Sequence, residues 1–185
     1  MIEQTLVAIK PDGIQRALIG KIISRFEDAG LKIIGMKMQW IDEKFAEEHY
    51  SEDLIEILGQ KSKKSYEEQG LKFTEDITKK GKEIRKALIK YITEGPIIAM
   101  VLEGVNTISI VRKIVGSTGP YDASPGTIRG DYAHIAISYA NINKKQVRNL
   151  IHASADKKDA EREIKLWFSK KELHSYKRAD EDHLT

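Results

Sequence analysis

His152 is the residue in this chain best placed to act as a nucleophile. It sits in the stretch Asn149-Leu-Ile-His-Ala-Ser154, within an apolar run, Leu150 to Ala153, that reads as a short strand. A neutral imidazole is a good nitrogen nucleophile near pH 7, because its ordinary pKa lies close to that value. Other polar residues interrupt the apolar pattern elsewhere. Lys10 stands where the first strand ends, and His49 and Tyr50 close a short helix. Arg112 is a cation on a helix that is otherwise apolar on one side, and Thr118 and Arg129 flank a loop rich in glycine and proline. With Asn149, these residues form a set that can grip a polyphosphate and present a nitrogen to it. Arginine pairs with phosphate through two parallel hydrogen bonds, whereas lysine acts as a compact charge.

The hydrophobic pattern defines the elements that must carry these residues. Glu3 to Ile9 reads as a buried strand. Lys10-Pro-Asp-Gly13 ends it in a turn, because Pro11 lacks a ladder donor and Asp-Gly favours turning. Ile19, Ile22, Ile23 and Phe26 recur at helical spacing, and Gly30 stops that helix. Leu31 to Trp40 returns to strand character, and Asp42 caps a short helix through Tyr50. Ile84 to Ile92 is helical until Gly95-Pro96 breaks it. The nearly all-apolar run Ile97 to Leu102 belongs in the centre of a sheet. Asn106 to Val115 and Asp159 to Phe168 are helical. Gly116 to Gly130 reads as a long loop of the kind that usually serves function. Ile135 to Asn143 is ambiguous between helix and strand, the tail from Ser169 should wrap the surface, and Trp40 and Trp167 read as packing residues. This order predicts an α+β sandwich, with helices packed on a small antiparallel sheet.

The segment from Ser51 to Lys86 differs, because lysine and glutamate dominate it. Glu52 to Leu58 can be helical, and Lys61 to Lys82 reads as a solvated insertion or a charged helical hairpin, not a separate domain. A chain of 185 residues suits one domain with a decorated loop. The net charge of +3 is small against 31 basic and 28 acidic side chains. It permits an anionic ligand without demanding nucleic acid, which usually selects a stronger basic cluster. The absence of cysteine excludes disulfides and thiolate catalysis and fits a reducing cytoplasm. No secretory signal is expected at Met1-Ile-Glu-Gln-Thr-Leu6, and no apolar run approaches the roughly 20 residues of a membrane span.

Taken together, the motifs resemble those of nucleoside diphosphate kinases, of an archaeal type. The matching stretches are Leu6-Val-Ala-Ile-Lys-Pro-Asp-Gly-Ile-Gln-Arg16, His49-Tyr50, Gly95-Pro96 and Met100-Val-Leu-Glu-Gly-Val-Asn106. Gly119-Pro120, Ser124-Pro-Gly-Thr-Ile-Arg-Gly-Asp131, Asn149-Leu-Ile-His152 and Glu163-Ile-Lys-Leu-Trp-Phe168 complete them. The likeness covers nearly the whole chain except two insertions, at about 51–83 and about 138–146. It implies a single ferredoxin-like α+β domain with a four-stranded antiparallel sheet. It also implies a ping-pong reaction, in which a nucleoside triphosphate passes its terminal phosphate to His152 Nδ1 and a nucleoside diphosphate collects it. By the same resemblance Glu163 orients the ring, Ser154 bonds near both, and Tyr50 stands beside the histidine and the phosphate. Arg112, Thr118 and Arg129 would hold the phosphates, and Lys10 and Asn149 the sugar hydroxyls, with Lys10 also near the transferred phosphate. Mg²⁺ would arrive on the nucleotide, with no direct protein ligand. A homo-oligomer, most often a hexamer in the family, is implied, with subunit contacts at the loop Gly116 to Gly130. No membrane or nucleic-acid partner is expected.

The chain departs from the family pattern in two places. The family commonly continues His-Gly-Ser-Asp, whereas here the sequence is His152-Ala-Ser-Ala-Asp156. The family also stacks the base on a Phe, and the matching position here is Ile84. Base contact then falls to Ile84 and Leu88, or to Phe73 of the insertion. His49, His134, His174 and His183 are expected to be structural or exposed. Two rival readings are a catalytically silent family member acting as scaffold or regulator, and an RNA-binding module of the same fold. The first conflicts with the intact polar set. The second lacks the paired sheet aromatics on which such modules stack bases.

Overall fold

A computed structural model of the chain describes residues 2–143 and 145–184, so Lys144 of the second expected insertion lies outside the described residues. The chain runs β1 (Ile2–Ile9), α1 (Pro11–Gln15), α2 (Ile19–Glu27), β2 (Lys32–Gln39), α3 (Glu43–His49), α4 (Leu54–Glu68) and α5 (Ile77–Thr93). It continues through β3 (Ile97–Val105), α6 (Thr107–Val115), α7 (Ile128–Tyr132), α8 (Ile137–Ile142), β4 (Ile151–Ala153), α9 (Lys157–Trp167) and α10 (Glu181–Leu184). The strands form one antiparallel sheet in the order β2-β3-β1-β4.

Strand alternation divides the core in two. Val7 and Ile9 of β1 and Ile98, Met100 and Leu102 of β3 face one side, against Ile22 and Phe26 of α2 and Val111 and Val115 of α6. Leu6, Ala8, Ile97, Ala99 and Val101 face the other, against Ile89 and Ile92 of α5 and Trp167 of α9. Each buried Leu or Ile is worth roughly 1.5–3 kcal/mol, so a one-residue slip of either strand would be prohibitive. The expected ferredoxin-like α+β sandwich is therefore observed, with β3 central. Helices cover both faces, so the base-stacking platform of an RNA-binding module is occupied. Among the described residues no helix is long and apolar enough to cross a membrane.

Several local expectations change. Lys10-Pro-Asp-Gly13 is not a simple turn: Pro11 starts the short helix α1, where its missing N–H costs nothing. The loop Gly116 to Gly130 contains a 3₁₀ turn at Pro120–Asp122 and the start of α7, capped by Thr127. Within Ile135 to Asn143, residues Ile137–Ile142 form helix α8. Trp40 is 67% exposed, and its indole N–H donates to Thr93 O, so only Trp167 is a core tryptophan. The tail does wrap the surface, where His174 N and Tyr176 Oη donate to the carbonyls of Ile34 and Ile33 along β2.

The charged insertion is a helical hairpin, and only its outer side is a solvated face. Glycines let α4 and α5 meet backbone to backbone: a Cβ on Gly59 would lie 2.1 Å from Ile77 O, and one on Gly81 would lie 2.0 Å from Ile55 O. Ser62, Ser65 and Lys80 are buried in the hairpin. Asn141 of α8 donates to Ser62 Oγ at 3.2 Å, and Ser138 donates to Gln69, so the hairpin and α8, the two expected insertions, touch.

Candidate active site

β4 brings His152 opposite Ala8 of β1. The approach to this strand is tight, because Leu150 has φ 68°, a left-handed conformation that costs a side-chain-bearing residue on the order of 1–3 kcal/mol. Asp12 secures it. Its Oδ2 accepts from Leu150 N at 3.2 Å and its Oδ1 accepts from Tyr91 Oη, while Lys10 N donates to Leu150 O at 2.8 Å. Burial and the Asp12 carboxylate push the Tyr91 phenol far up, so it remains a donor.

Helix α9 supplies the partner of the histidine. Asp156 caps it by accepting from Asp159 N at 2.9 Å, which commits the displaced carboxylate of the His152-Ala-Ser-Ala-Asp156 run to the backbone. Two turns on, Glu163 is buried and places both oxygens on His152 Nε2, at 2.9 and 3.0 Å. Ser154 Oγ donates to the same carboxylate at 2.6 Å. Burial pushes the Glu163 carboxyl up, but the charge and hydrogen bond of His152, with His49 and Ser154, outweigh it and hold the group at about 2. A carboxylate only accepts, so the ring proton belongs on Nε2 and the lone pair on Nδ1.

His49 is structural, one of the two expected outcomes, but its position beside His152 was not foreseen. It is buried, its ring centroid is 4.6 Å from that of His152, and the two rings meet edge to face. Trp167 Nε1 donates to His49 Nδ1 at 3.2 Å. Burial, then the charge of His152, keep His49 well below its usual pKa and therefore neutral. His49 thus packs edge to face against His152. The one available signal was its place before Tyr50 in the His49-Tyr50 pair.

One cavity of about 180 Å³ is lined by Lys10, Tyr50, Leu88, Arg112, Thr118, Arg129, Asn149, His152 and Glu163. Lys10 Nζ donates to Asn149 Oδ1 at 2.8 Å, and Asn149 Nδ2 donates to Thr118 O at 3.0 Å. Burial, then Arg129, bring the Lys10 ammonium down to about 7, against the opposing pull of Asp12. Burial and Glu163 push the Tyr50 phenol up, so its hydroxyl keeps its proton. Arg129 is a clamp as well as a charge. Nη1 donates to Gly116 O and Ser117 O, Nε to Asn149 O, and Nη2 to Ile151 O, which leaves one N–H of five. Burial and Arg112 lower its pKa to about 10, which leaves it cationic at neutral pH.

Ile84 does not reach this cleft. It lines an adjoining cavity of about 640 Å³ with Leu58, Leu88, Thr118 and Asn149. Phe73 enters neither cavity and packs edge-on against Tyr66, with centroids 5.6 Å apart. The insertion contributes instead through α4, since Leu58 and Lys61 line both cavities. Asp159 also lines the cleft. Nothing in the motifs pointed to these three residues.

The family model for nucleoside diphosphate kinase matches residues 3–56 and 52–173. The chain belongs to the nucleoside diphosphate kinase family. A nucleoside diphosphate kinase of Pyrobaculum aerophilum is 45% identical over 179 residues, covering 93% of this chain and 98% of that protein. The solved structure of the Borrelia burgdorferi kinase, a transition-state mimic with bound vanadate and ADP, superposes with TM-score 0.84. It is 38% identical and covers 99% of this chain and 96% of that one. A halophilic nucleoside diphosphate kinase from Halobacterium salinarum, in complex with CDP, has TM-score 0.75 and 37% identity, covering 100% and 99% of the two chains. As a nucleoside diphosphate kinase the chain is a phosphotransferase. The pairing of an imidazole nitrogen with cationic cleft walls suits that chemistry.

Proposed function

We propose that His152 Nδ1 carries phosphate between nucleotides. The observation that supports this most directly is the pair of Glu163 oxygens on Nε2, which fixes the tautomer with Nδ1 free. In the first half-reaction Nδ1 attacks the terminal phosphorus of a nucleoside triphosphate. The Nδ1–P bond forms, the bond from that phosphorus to the bridging oxygen breaks, and the diphosphate leaves with the electron pair. The proton stays on Nε2, where Glu163 balances the positive charge that develops on the ring. In the second half an oxygen of an incoming diphosphate attacks phosphorus, and the Nδ1–P bond breaks.

Arg112, Thr118 and the remaining N–H of Arg129 hold the phosphates in this reading. Lys10 and Asn149 take the sugar hydroxyls, and Lys10 and Tyr50 reach the transferred group. Ile84 and Leu88 offer an apolar wall to the base, without an aromatic stack. The bound ADP and CDP of two relatives support tolerance of purine and pyrimidine bases. Mg²⁺, when bound with the nucleotide, neutralises phosphate charge. It favours oxygen ligands, so phosphate oxygens would hold it rather than the nitrogens of His49 and His152, with the Asp159 carboxylate also in the lining of the cleft. We also propose one domain with insertions at about 51–83 and 138–146, working as a cytoplasmic homo-hexamer.

Incubation with labelled ATP and Mg²⁺ tests the central claim. The wild type should gain an acid-labile, base-stable label that GDP or CDP discharges, and His152→Ala should gain none. A label retained in that variant, or no label and no exchange in the wild type, defeats the reading. The second outcome would favour the silent scaffold.

A further inference from the structure

We infer that Lys61, on the inner face of α4, is a further residue that binds the phosphates of the nucleotide. This rests on the nucleotide occupying the two adjoining cavities, with its phosphates toward His152. Lys61 lines both cavities, together with Leu58, Leu88, Thr118 and Asn149. A group shared by the phosphate end and the base end faces the middle of the ligand.

The charge of Lys61 is uncommitted. The hairpin is rich in lysine, yet its neighbours find carboxylates: Lys63 pairs with Glu67 at 3.8 Å, Lys64 with Glu68 at 3.7 Å, and Lys80 with Glu75 at 2.9 Å. Among the described residues Lys61 has no such partner, although it sits on the same helix as two of them. The cations already in the cleft are largely spent. Arg129 gives four donors to backbone carbonyls, and Lys10 Nζ is bound to Asn149. Arg112 alone of the motif cations is exposed and has no partner among the described residues. A polyphosphate in this cleft would therefore meet two uncommitted cations in its lining, Arg112 from α6 and Lys61 from α4.

Lys61 also has a fixed mount. The close approach at Gly59 and Gly81 locks α4 on α5, and Asn141 and Ser138 tie it to α8. A flexible side chain on a rigid helix can reach a ligand without ordering a loop, which limits the entropic cost of the contact.

Calorimetric titration with ADP and Mg²⁺ tests this, with adenosine affinity measured by displacement. Lys61→Met should weaken ADP about five- to tenfold, the worth of one partly screened charge pair near a surface. It should leave adenosine within about twofold, because adenosine carries no phosphate to lose. Lys61→Arg should restore ADP binding, since the charge is kept. The residue is exposed, so both variants should fold. Equal ADP affinity in Lys61→Met and wild type overturns the inference, and so does an equal loss for ADP and adenosine, which would make Lys61 part of the base wall. Labelling of the wild type tests His152 separately. A Lys61-dependent ADP affinity in an enzyme labelled elsewhere than His152 sustains this inference and overturns the other.

Discussion

Buried beside Arg129, the Lys10 ammonium loses solvation and feels a like charge, and its pKa falls to about 7. An arriving phosphate reverses that balance, because an anion favours the charged amine. ADP binding at pH 8.5 should therefore draw nearly one proton from solution, when the nucleotide phosphates are already ionised. Calorimetry in two buffers of different ionisation enthalpy reads this number, and Lys10→Met should bring it close to zero. The Glu163 pKa also falls, but in an acid that favours the charged form. Its folded pKa of about 2 lies below the ordinary 4.5, so the unfolded chain binds the proton first as pH falls. The stabilisation is fully present above pH 4.5 and disappears as pH drops toward about 2. It is on the order of 3 kcal/mol, and Glu163→Gln should flatten the denaturant midpoint across that window. At this scale the sequence showed Lys10, Arg129 and His152 clearly, because each interrupts an apolar pattern or sits in a dense motif. His49 was not legible. A histidine ending a short helix has no periodic signature, and its place follows from Trp167, 118 positions away.

Among the elements, the hairpin of α4 and α5 forms one wall of the proposed nucleotide site. The apolar period of Ile84 to Ile92 announced the second half of α5, but the charge-rich stretch before it hid how closely the helices meet. That closeness depends on two glycines separated by 22 positions, which only tertiary contact brings into register. Gly81→Ala sets a methyl against Ile55 O, a backbone atom that cannot swing away, so the helices must part. Overpacking of this kind costs roughly 1–3 kcal/mol, or about 2–10 °C of Tm for a chain of this size. The parting should also move Leu58 and Lys61 and raise KM for nucleotides, while kcat, which the proposed reaction places on His152 and Glu163 of β4 and α9, changes little. Gly20→Ala is the control. A Cβ there meets nothing within 4 Å, and Gly20 lies in the first turn of α2, where alanine favours helix more than glycine does, so Tm should hold or rise slightly. Equal Tm and KM for Gly81→Ala and wild type would show that the hairpin is loose. The loop Gly116 to Gly130 was legible as a long loop, and its Gly116, Thr118 and Arg129 line the cleft, but it was not legible as structured, because its 3₁₀ turn and the start of α7 rest on local caps and on Arg129 rather than on hydrophobic period.

For the whole molecule the open question is what covers β2. Met36 pairs with Met100 and Met38 with Ile98, so these methionines share the face that α2 and α6 bury on β3. Those helices stop short of them: Met36 is 55% exposed, Met38 58%, and Trp40, two residues on, 67%. The tail occupies the start of the strand through Ile33 and Ile34, and the end from Met36 to Trp40 stays open. An exposed apolar row on an edge strand is an aggregation hazard unless another subunit takes it. Covering it with a second copy of the chain, through a two-fold contact, would remove three large side chains from water on each protomer and supply one contact of the proposed hexamer. Met38→Glu would then place an unpaired carboxylate at the centre of that contact, at a cost of several kcal/mol for the pair of subunits. Sedimentation velocity should show the hexamer falling to a smaller species, while circular dichroism of the variant stays native because Met38 lies outside the protomer core. Phosphoenzyme formation should survive, since no cleft residue lies on β2. A variant that sediments as the same hexamer would move the contact away from β2, leaving the loop with exposed Tyr121 as the surface to test next.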